Sequence, residues 1–232
     1  MKTIGLLGGT SYASTLLYYQ RLNQMVNHRL GGYHSCPMLL YNIDYHAIKS
    51  LYPDGWDRIP ALLKRELLTL LSLRPDALMI CNNTLHKGFN LIRHELELSI
   101  PVFHVIDLTL THLKSNQIHE VLLLGTRFTM EDDYFRTPLE EQGVQVKIPD
   151  VREREKIQQI QSRLSLGEMK PDFISYFRQL SDKYHHLQAF ILACTELPLV
   201  FSQLDLAPQL VDTIELQCQA AVDFQLSDDR EN

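Results

Sequence analysis

Two apolar segments of the sequence each end in polar residues that could take part in proton transfer. Residues 79–84 read Met-Ile-Cys-Asn-Asn-Thr, and residues 191–196 read Ile-Leu-Ala-Cys-Thr-Glu. A thiol can act as an acid, a base or a nucleophile, whereas amides and hydroxyls can hold a small polar ligand. The polar residues in question are Asn82, Asn83 and Thr84 in the first segment, and Cys194 and Thr195 in the second.

The elements that must position these residues are buried strands of a parallel sheet, because a short continuous apolar run is typical of such strands. Open α/β sheets bind ligands at the carboxyl ends of their strands. A second pair of strand ends is similar at nearly the same spacing, with Ile-Gly-Leu-Leu-Gly-Gly-Thr-Ser at residues 4–11 and Val-Leu-Leu-Leu-Gly-Thr-Arg at residues 121–127. We therefore predict two similar α/β halves facing each other across a cleft, with Cys194 on one wall and Asn82 on the other.

The remaining pattern agrees with an α/β fold of two Rossmann-like domains with mainly parallel sheets, since strand and helix signals alternate. We place the first domain boundary near residue 105. Strands are predicted near residues 3–7, 37–43, 77–81, 101–104, 120–124, 144–147 and 188–193. Helices are predicted near residues 14–30, 57–74, 86–97, 107–116, 130–142, 152–166, 171–184 and 213–226.

Two Gly-Thr turns follow predicted strands and have two possible roles each. Gly8-Gly9 allows a tight turn, and Thr10 and Ser11 supply hydroxyls at a helix start, where free N–H groups attract anions. This turn either binds a carboxylate or is a plain capped turn. Thr126, after Gly125, either contacts a ligand or caps the next helix.

The cysteines divide into one chemical candidate and three packing residues. Strand alternation points Cys81 away from the face that Asn82 occupies, so we predict a core thiol there. Cys36 and Cys218 are also interpreted as packing residues. Cys194 lies at the predicted mouth of the cleft, where a helix starting near Thr195 would lower its pKa.

Composition excludes several classes of partner. The 232 residues are 45% hydrophobic and carry a formal charge of −6, so there is no basic surface for nucleic acid. No apolar run approaches the roughly 18 residues of a membrane span, and no signal peptide is apparent. The four cysteines show no pairing pattern and no zinc-ligand spacing, which favours a reducing cytoplasm and no metal.

Taken together, these motifs resemble the aspartate/glutamate racemase family over nearly the whole chain. The matching segments are residues 4–11, 14–15, 18–19, 29–32, 42–45, 83–87, 123–130 and 193–196. The resemblance implies two pseudosymmetric domains, 1–105 with 208–232 and 106–207, because the last helix packs back on the first half. It also implies a homodimer that racemises an acidic amino acid without pyridoxal phosphate or metal, using two thiols on opposite faces of the α-carbon.

The sequence departs from the family pattern at the first thiol. Asn83-Thr84-Leu85-His86 fits the last four residues of the usual Cys-Asn-Thr-x-His motif, so Asn82 occupies the cysteine position. Thr10 and Ala13 stand where Met and Glu are common. We therefore predict a racemase or epimerase with Cys194 as thiol acid/base. Its opposite face would be served by water held by Asn82, or by a proton from Thr84 or His86.

Two other functions remain open at this stage. One is a catalytically impaired amino-acid-binding protein on a racemase scaffold, and the other uses Cys194 as a nucleophile in hydrolysis or decarboxylation. The predicted substrate-binding residues are Thr10, Ser11, Asn83, Thr84, Thr126, Thr195 and Lys156. Lys156 either reaches a side-chain carboxylate or belongs to a solvated helix face, since it ends the charged run Arg-Glu-Arg-Glu-Lys.

Overall fold

The computed structural model describes residues 1–52, 54–205 and 208–227. Within them the strands are β1 (Ile4–Gly8), β2 (Met38–Asn42), β3 (Ala77–Ile80), β4 (Glu120–Gly125), β5 (Gln145–Lys147), β6 (Ala189–Ala193) and β7 (Gln209–Asp212). The α-helices are α1 (Tyr12–Leu30), α2 (His46–Lys49), α3 (Ile59–Ser72), α4 (Leu85–Ile92), α5 (Val105–Ser115), α6 (Arg127–Glu131), α7 (Asp133–Glu140), α8 (Val151–Leu164), α9 (Pro171–Lys183), α10 (Leu197–Phe201) and α11 (Thr213–Leu226). Short 3₁₀ helices span Trp56–Arg58 and Arg93–Glu95.

The chain divides into two compact units. The first holds Met1–His104 together with α11 from Gln217 onward, and the second holds Val105–Leu216. The sequence predicted that residues 208–232 belong with the first half, of which 228–232 lie outside the described residues. For residues 208–216 the observed division differs from that prediction, because β7 pairs in parallel with β6 of the second unit.

The first unit is built on a three-stranded parallel sheet with the strand order β2-β1-β3. The central strand β1 is buried along its whole length, as its continuous apolar sequence requires. On one face, Leu7, Leu78 and Ile80 share a core with α3 and α4. In α11, the Gln217 amide accepts a hydrogen bond from the Tyr18 hydroxyl (2.6 Å) and donates one to the Phe103 carbonyl (2.7 Å).

The second unit has a four-stranded parallel sheet with the order β5-β4-β6-β7. Alternate residues of β4 enter different cores, since successive side chains of a strand point to opposite faces. Leu122 and Leu124 pack with α8, α9 and α10, whereas Val121 and Leu123 pack with α5 and α7. The prediction of an α/β fold with two parallel sheets is confirmed.

Two predicted elements are wrong in detail. The strand expected near residues 101–104 forms only a bridge between Val102 and Leu78, because the His104 N–H turns back to the Val102 carbonyl and ends the extended segment. The helix expected near residues 130–142 is broken at Asp132, whose side chain accepts a hydrogen bond from the Tyr134 N–H and starts α7. None of the described helices is both long and apolar enough to cross a membrane.

Candidate active site

The turn after β1 is shaped by a glycine that no other residue could replace without strain. Gly9 has a φ of +91°, and a Cβ atom there would clash with the Ile43 carbonyl oxygen. The turn leads into α1, where the Ser11 hydroxyl accepts a hydrogen bond from the Ser14 N–H at 3.4 Å. The Thr10 hydroxyl donates to the Cys81 carbonyl at 3.2 Å, which ties this turn to the end of β3.

Asn82 follows β3 and caps the helix that comes after it. Its Oδ1 accepts a hydrogen bond from the Leu85 N–H at 2.8 Å, which satisfies one of the free donors at the start of α4. Its side chain also hydrogen-bonds the Tyr45 hydroxyl, and its backbone carbonyl contacts His86 Nδ1 at 2.8 Å. Asn82 therefore performs the capping role that a turn needs, while its side chain remains half-buried.

Asn83 and Thr84 are more deeply buried than Asn82, with exposed fractions of 5% and 7%. Behind them His86 is fully buried, and its ring meets the His104 ring edge-on with 4.6 Å between centroids. Burial, with a smaller contribution from the charge of Arg93, lowers the pKa of His104 from 6.5 to about 4. His104 is thus neutral at physiological pH. The first unit therefore gathers Thr10, Ser11, Asn82, Asn83 and Thr84 at the carboxyl ends of β1 and β3.

Cys194 follows β6 and lies in a small buried polar cluster. Cys194 and Glu196 are each only 4% exposed. The Cys194 thiol donates a hydrogen bond to Glu196 Oε2 at 3.1 Å, and the Thr195 hydroxyl donates to the same oxygen at 2.9 Å. The Gln161 side chain reaches the sulfur from α8. This arrangement can hold a proton on sulfur or on the carboxylate.

The expected lowering of the Cys194 pKa is wrong. Burial raises this pKa well above its ordinary value, and the negative charge of Glu196 raises it further. The helix that was expected to favour the thiolate begins at Leu197, spans five residues and has no side-chain cap at Glu196. The direction of this shift favours the thiol over the thiolate at neutral pH.

Thr126 is the other predicted site residue of the second unit, and it caps α6. Its hydroxyl accepts a hydrogen bond from the Thr129 N–H at 3.1 Å, as the Ser11 hydroxyl does from Ser14 in the first unit. Gln158 accepts a hydrogen bond from the Arg127 N–H at 2.8 Å and donates to Gln161 at 2.7 Å. A chain of hydrogen bonds therefore leads from the start of α6 to the sulfur of Cys194.

Lys156, the last of the predicted site residues, belongs to α8. It is exposed on the second turn of α8. Residues two positions apart on a helix point to nearly opposite sides, so Lys156 lies across the helix axis from Gln158.

The other cysteines pack as predicted, since Cys36, Cys81 and Cys218 are all buried and none is in a disulfide bond. Burial raises the pKa of Cys81, which makes it an inert core thiol. Over the described part of the chain, no three His, Cys, Asp or Glu side chains come close enough together to hold a metal ion.

Strand register makes Asn82 the structural counterpart of Cys194. In the first unit Leu7 pairs with Ile80, and in the second Leu124 pairs with Leu192. Leu7 and Leu124 each precede the glycine that ends the central strand, and Asn82 and Cys194 each come two residues after the paired position. Cys81 is therefore one residue too early to be the equivalent of Cys194.

Three contributors to the site were given no role in the sequence analysis. Glu196 was visible as an acidic residue directly after the second strand end, which is an unusual place for a buried carboxylate. Tyr45 and Gln161 reach Asn82 and Cys194 from distant segments. No local pattern assigns these two residues a role, because only the tertiary fold brings them to the strand ends.

The comparison with known families agrees with this arrangement of strand ends. The family model described as Asp/Glu/Hydantoin racemase matches residues 7–221. The chain belongs to this family. Both strand-end motifs, with Asn82 and Cys194, fall within the matched residues.

Solved structures of the same family have the same fold. A candidate Asp/Glu racemase from Yersinia pestis is 34% identical with a TM-score of 0.86, over 98% of this chain and 100% of that one. An aspartate racemase homologue from Pyrococcus horikoshii is 28% identical with a TM-score of 0.85, again over 98% and 100%. The glutamate racemase from Francisella tularensis in complex with D-glutamate shares the fold at 17% identity and a TM-score of 0.67, over 97% and 81%.

Proposed function

We propose that this chain is an amino-acid racemase or epimerase that acts on aspartate, glutamate or a similar amino acid without pyridoxal phosphate. The observation that carries the proposal is the position of Cys194. Its thiol follows a buried parallel strand at the carboxyl end and has a carboxylate, a hydroxyl and an amide as neighbours. In a chain of the racemase family, such a thiol is suited to remove and return an α-proton.

The proposed chemistry begins with the Cys194 thiolate, which takes the α-proton from one face of the substrate. A positioned acid or base of this kind contributes about 10²–10⁴-fold in rate. The negative charge that develops on the α-carbon and its carboxylate needs fixed hydrogen-bond donors. We propose Thr10, Ser11, Asn83, Thr84, Thr126 and Thr195 as the polar contacts of the substrate. We also propose that Lys156 contacts its side-chain carboxylate.

The opposite face has no ionisable group at the position equivalent to Cys194. An amide is no base at neutral pH, and the Asn82 Oδ1 is already engaged by the Leu85 N–H. We propose that Asn82 orients a water molecule, with Thr84 or His86 as alternative proton sources. Exchange at the α-carbon should therefore be faster for one enantiomer than for the other.

The test is exchange of the α-proton in D₂O with the L and D forms of aspartate and glutamate, followed by proton NMR and chiral chromatography. We expect exchange with at least one of the four, and its loss in Cys194→Ser. Cys81→Ser is the matched control, because its thiol is buried one residue before Asn82 and is outside the proposed mechanism. Exchange that persists in Cys194→Ser would refute the role of this thiol.

A second candidate function is amino-acid binding without turnover, and the specific observation in its favour is the asparagine at the position equivalent to Cys194. It predicts a ligand-induced rise in Tm without exchange, and gain of activity in Asn82→Cys. Any Cys194-dependent racemisation by the natural sequence would exclude it. A nucleophilic role of Cys194 would instead give a covalent adduct detectable by mass spectrometry.

We further propose that the protein is a homodimer in a reducing, cytoplasmic environment. None of the four cysteines, all of them among the described residues, is in a disulfide bond, as expected in a reducing compartment. Size-exclusion chromatography with light scattering tests the dimer, and a monomeric mass at micromolar concentration would contradict it.

A further inference from the structure

The side chain of Glu196 has a chemical environment that helix capping and ion pairing do not explain. It is 4% exposed, makes no capping hydrogen bond to α10, and has no ion-pair partner among the described residues. Its hydrogen bonds come from the Cys194 thiol (3.1 Å) and the Thr195 hydroxyl (2.9 Å). Burying an ionised carboxylate is costly unless it is hydrogen-bonded and paired with an opposite charge.

We propose that Glu196 is the proton acceptor of Cys194, so that the two side chains share one proton and act as a single acid/base pair. This inference rests on the proposed function. The S–H bond breaks with its electron pair left on sulfur, and an O–H bond forms on the Glu196 carboxylate. The thiolate then takes the substrate's α-proton and leaves the electron pair on the α-carbon. Return of that proton restores the substrate, and Glu196 returns its proton to sulfur.

The buried surroundings of Cys194 and Glu196 disfavour a second negative charge. Ionising Cys194 with release of its proton to solvent would put two negative charges 3.1 Å apart in the protein interior, which is strongly unfavourable. Transfer of the proton to Glu196 keeps the charge of the pair at minus one, so no second charge is desolvated. The pair then behaves as one coupled unit.

Two neighbours stabilise the charge once it moves to sulfur. The Glu196 backbone N–H and the Gln161 side chain both hydrogen-bond the sulfur and lower the pKa of Cys194, against the larger effect of burial. Gln161, which reaches the sulfur from α8, is neutral, and Glu196 is the one charged group of the described residues that acts on this thiol. The protonation state of the pair is therefore set by its own two members.

The first experiment is Glu196→Gln, which keeps the size and the hydrogen-bonding capacity but cannot accept the proton. We expect the exchange rate in D₂O at neutral pH to fall about 100-fold or more, mainly in kcat. If Glu196 acts only as a fixed negative charge, the same change lowers the thiol pKa and raises exchange. A rate that is unchanged or increased overturns the proposal. Glu155→Gln, at an exposed position of α8, is the matched control and should exchange like the natural sequence.

The second experiment needs no substitution, so it tests the shared proton even if Glu196→Gln fails to fold. The rate of Cys194 alkylation by iodoacetamide is measured against pH, with peptide mass spectrometry separating it from the other three cysteines. Proton transfer within the pair leaves the thiolate fraction independent of pH, so the rate should change less than about threefold between about pH 6 and pH 8. An increase of about tenfold per pH unit overturns the proposal.

The two experiments also separate this inference from the proposed function. Cys194-dependent exchange that survives Glu196→Gln leaves the racemase proposal standing and removes the pair. Absence of exchange with any substrate weakens the racemase proposal, whereas the alkylation profile still decides whether the pair shares its proton.

Discussion

Protonation of His104 should progressively destabilise the first unit as the pH falls. In the folded protein, burial holds the pKa of His104 at about 4, against an ordinary value of 6.5. Between these values the unfolded chain binds a proton that the folded chain does not. Stability is therefore fully present above about pH 6.5 and is lost as the pH falls toward about 4.

The magnitude follows from the two pKa values. At about 1.4 kcal/mol per pH unit, the full difference is worth about 3 kcal/mol. The free energy of unfolding should lose about 1 kcal/mol by pH 6, about 2 kcal/mol by pH 5 and about 3 kcal/mol by pH 4 from this group alone. Because His104 packs against His86, which contacts the Asn82 carbonyl, the loss would reach the proposed active site.

The assay is urea unfolding at a series of pH values for the natural sequence, His104→Gln and His94→Gln. The control makes the same substitution at a histidine of the same unit whose side chain is 74% exposed. The stability difference between the natural sequence and His104→Gln should change by about 3 kcal/mol between pH 7 and pH 4. For His94→Gln it should stay within about 0.5 kcal/mol. Parallel curves for His104→Gln would refute the reasoning, whatever the offset between them.

Three further predictions concern the strand ends. Gly9→Ala should lower the free energy of unfolding by more than about 2 kcal/mol in urea titrations, because it adds a backbone clash to a left-handed φ. Gly31→Ala, with a left-handed φ but open space around it, should cost only about 1 kcal/mol. Cys81→Ala should retain the α-proton exchange that Cys194→Ala abolishes. An equal loss of exchange in both variants would contradict the interpretation of Cys81 as a core thiol. Asn82→Ala should lower the free energy of unfolding by about 1 kcal/mol, because it removes a helix cap that Asn82→Asp retains. Equal stabilities of these two variants would show that the Asn82 side chain does not cap α4.

The sequence predicted the strand ends well because buried parallel strands are continuous apolar runs with an abrupt polar stop. Strand β7 (Gln209–Asp212) escaped prediction because it is short, lies at the sheet edge and is only partly buried. The pKa of Cys194 was predicted in the wrong direction because a helix start lowers the pKa of a thiol only where burial and negative charge do not oppose it. Burial and the adjacent carboxylate of Glu196, which depend on the tertiary fold, outweigh any effect of a five-residue helix.

The two units have equivalent strand ends but unequal chemistry there. Register assigns Asn82 to the same place after β3 that Cys194 occupies after β6. At the second place a thiol and a carboxylate can exchange a proton, whereas at the first an amide is fixed to a backbone N–H and to Tyr45. A side chain that cannot change its protonation state, such as the Asn82 amide, can orient a ligand or a water molecule but cannot store a proton. If the chain racemises its substrate, a difference between the α-proton exchange rates of the two enantiomers must therefore originate at Asn82, and Asn82→Cys is the substitution that should reduce it.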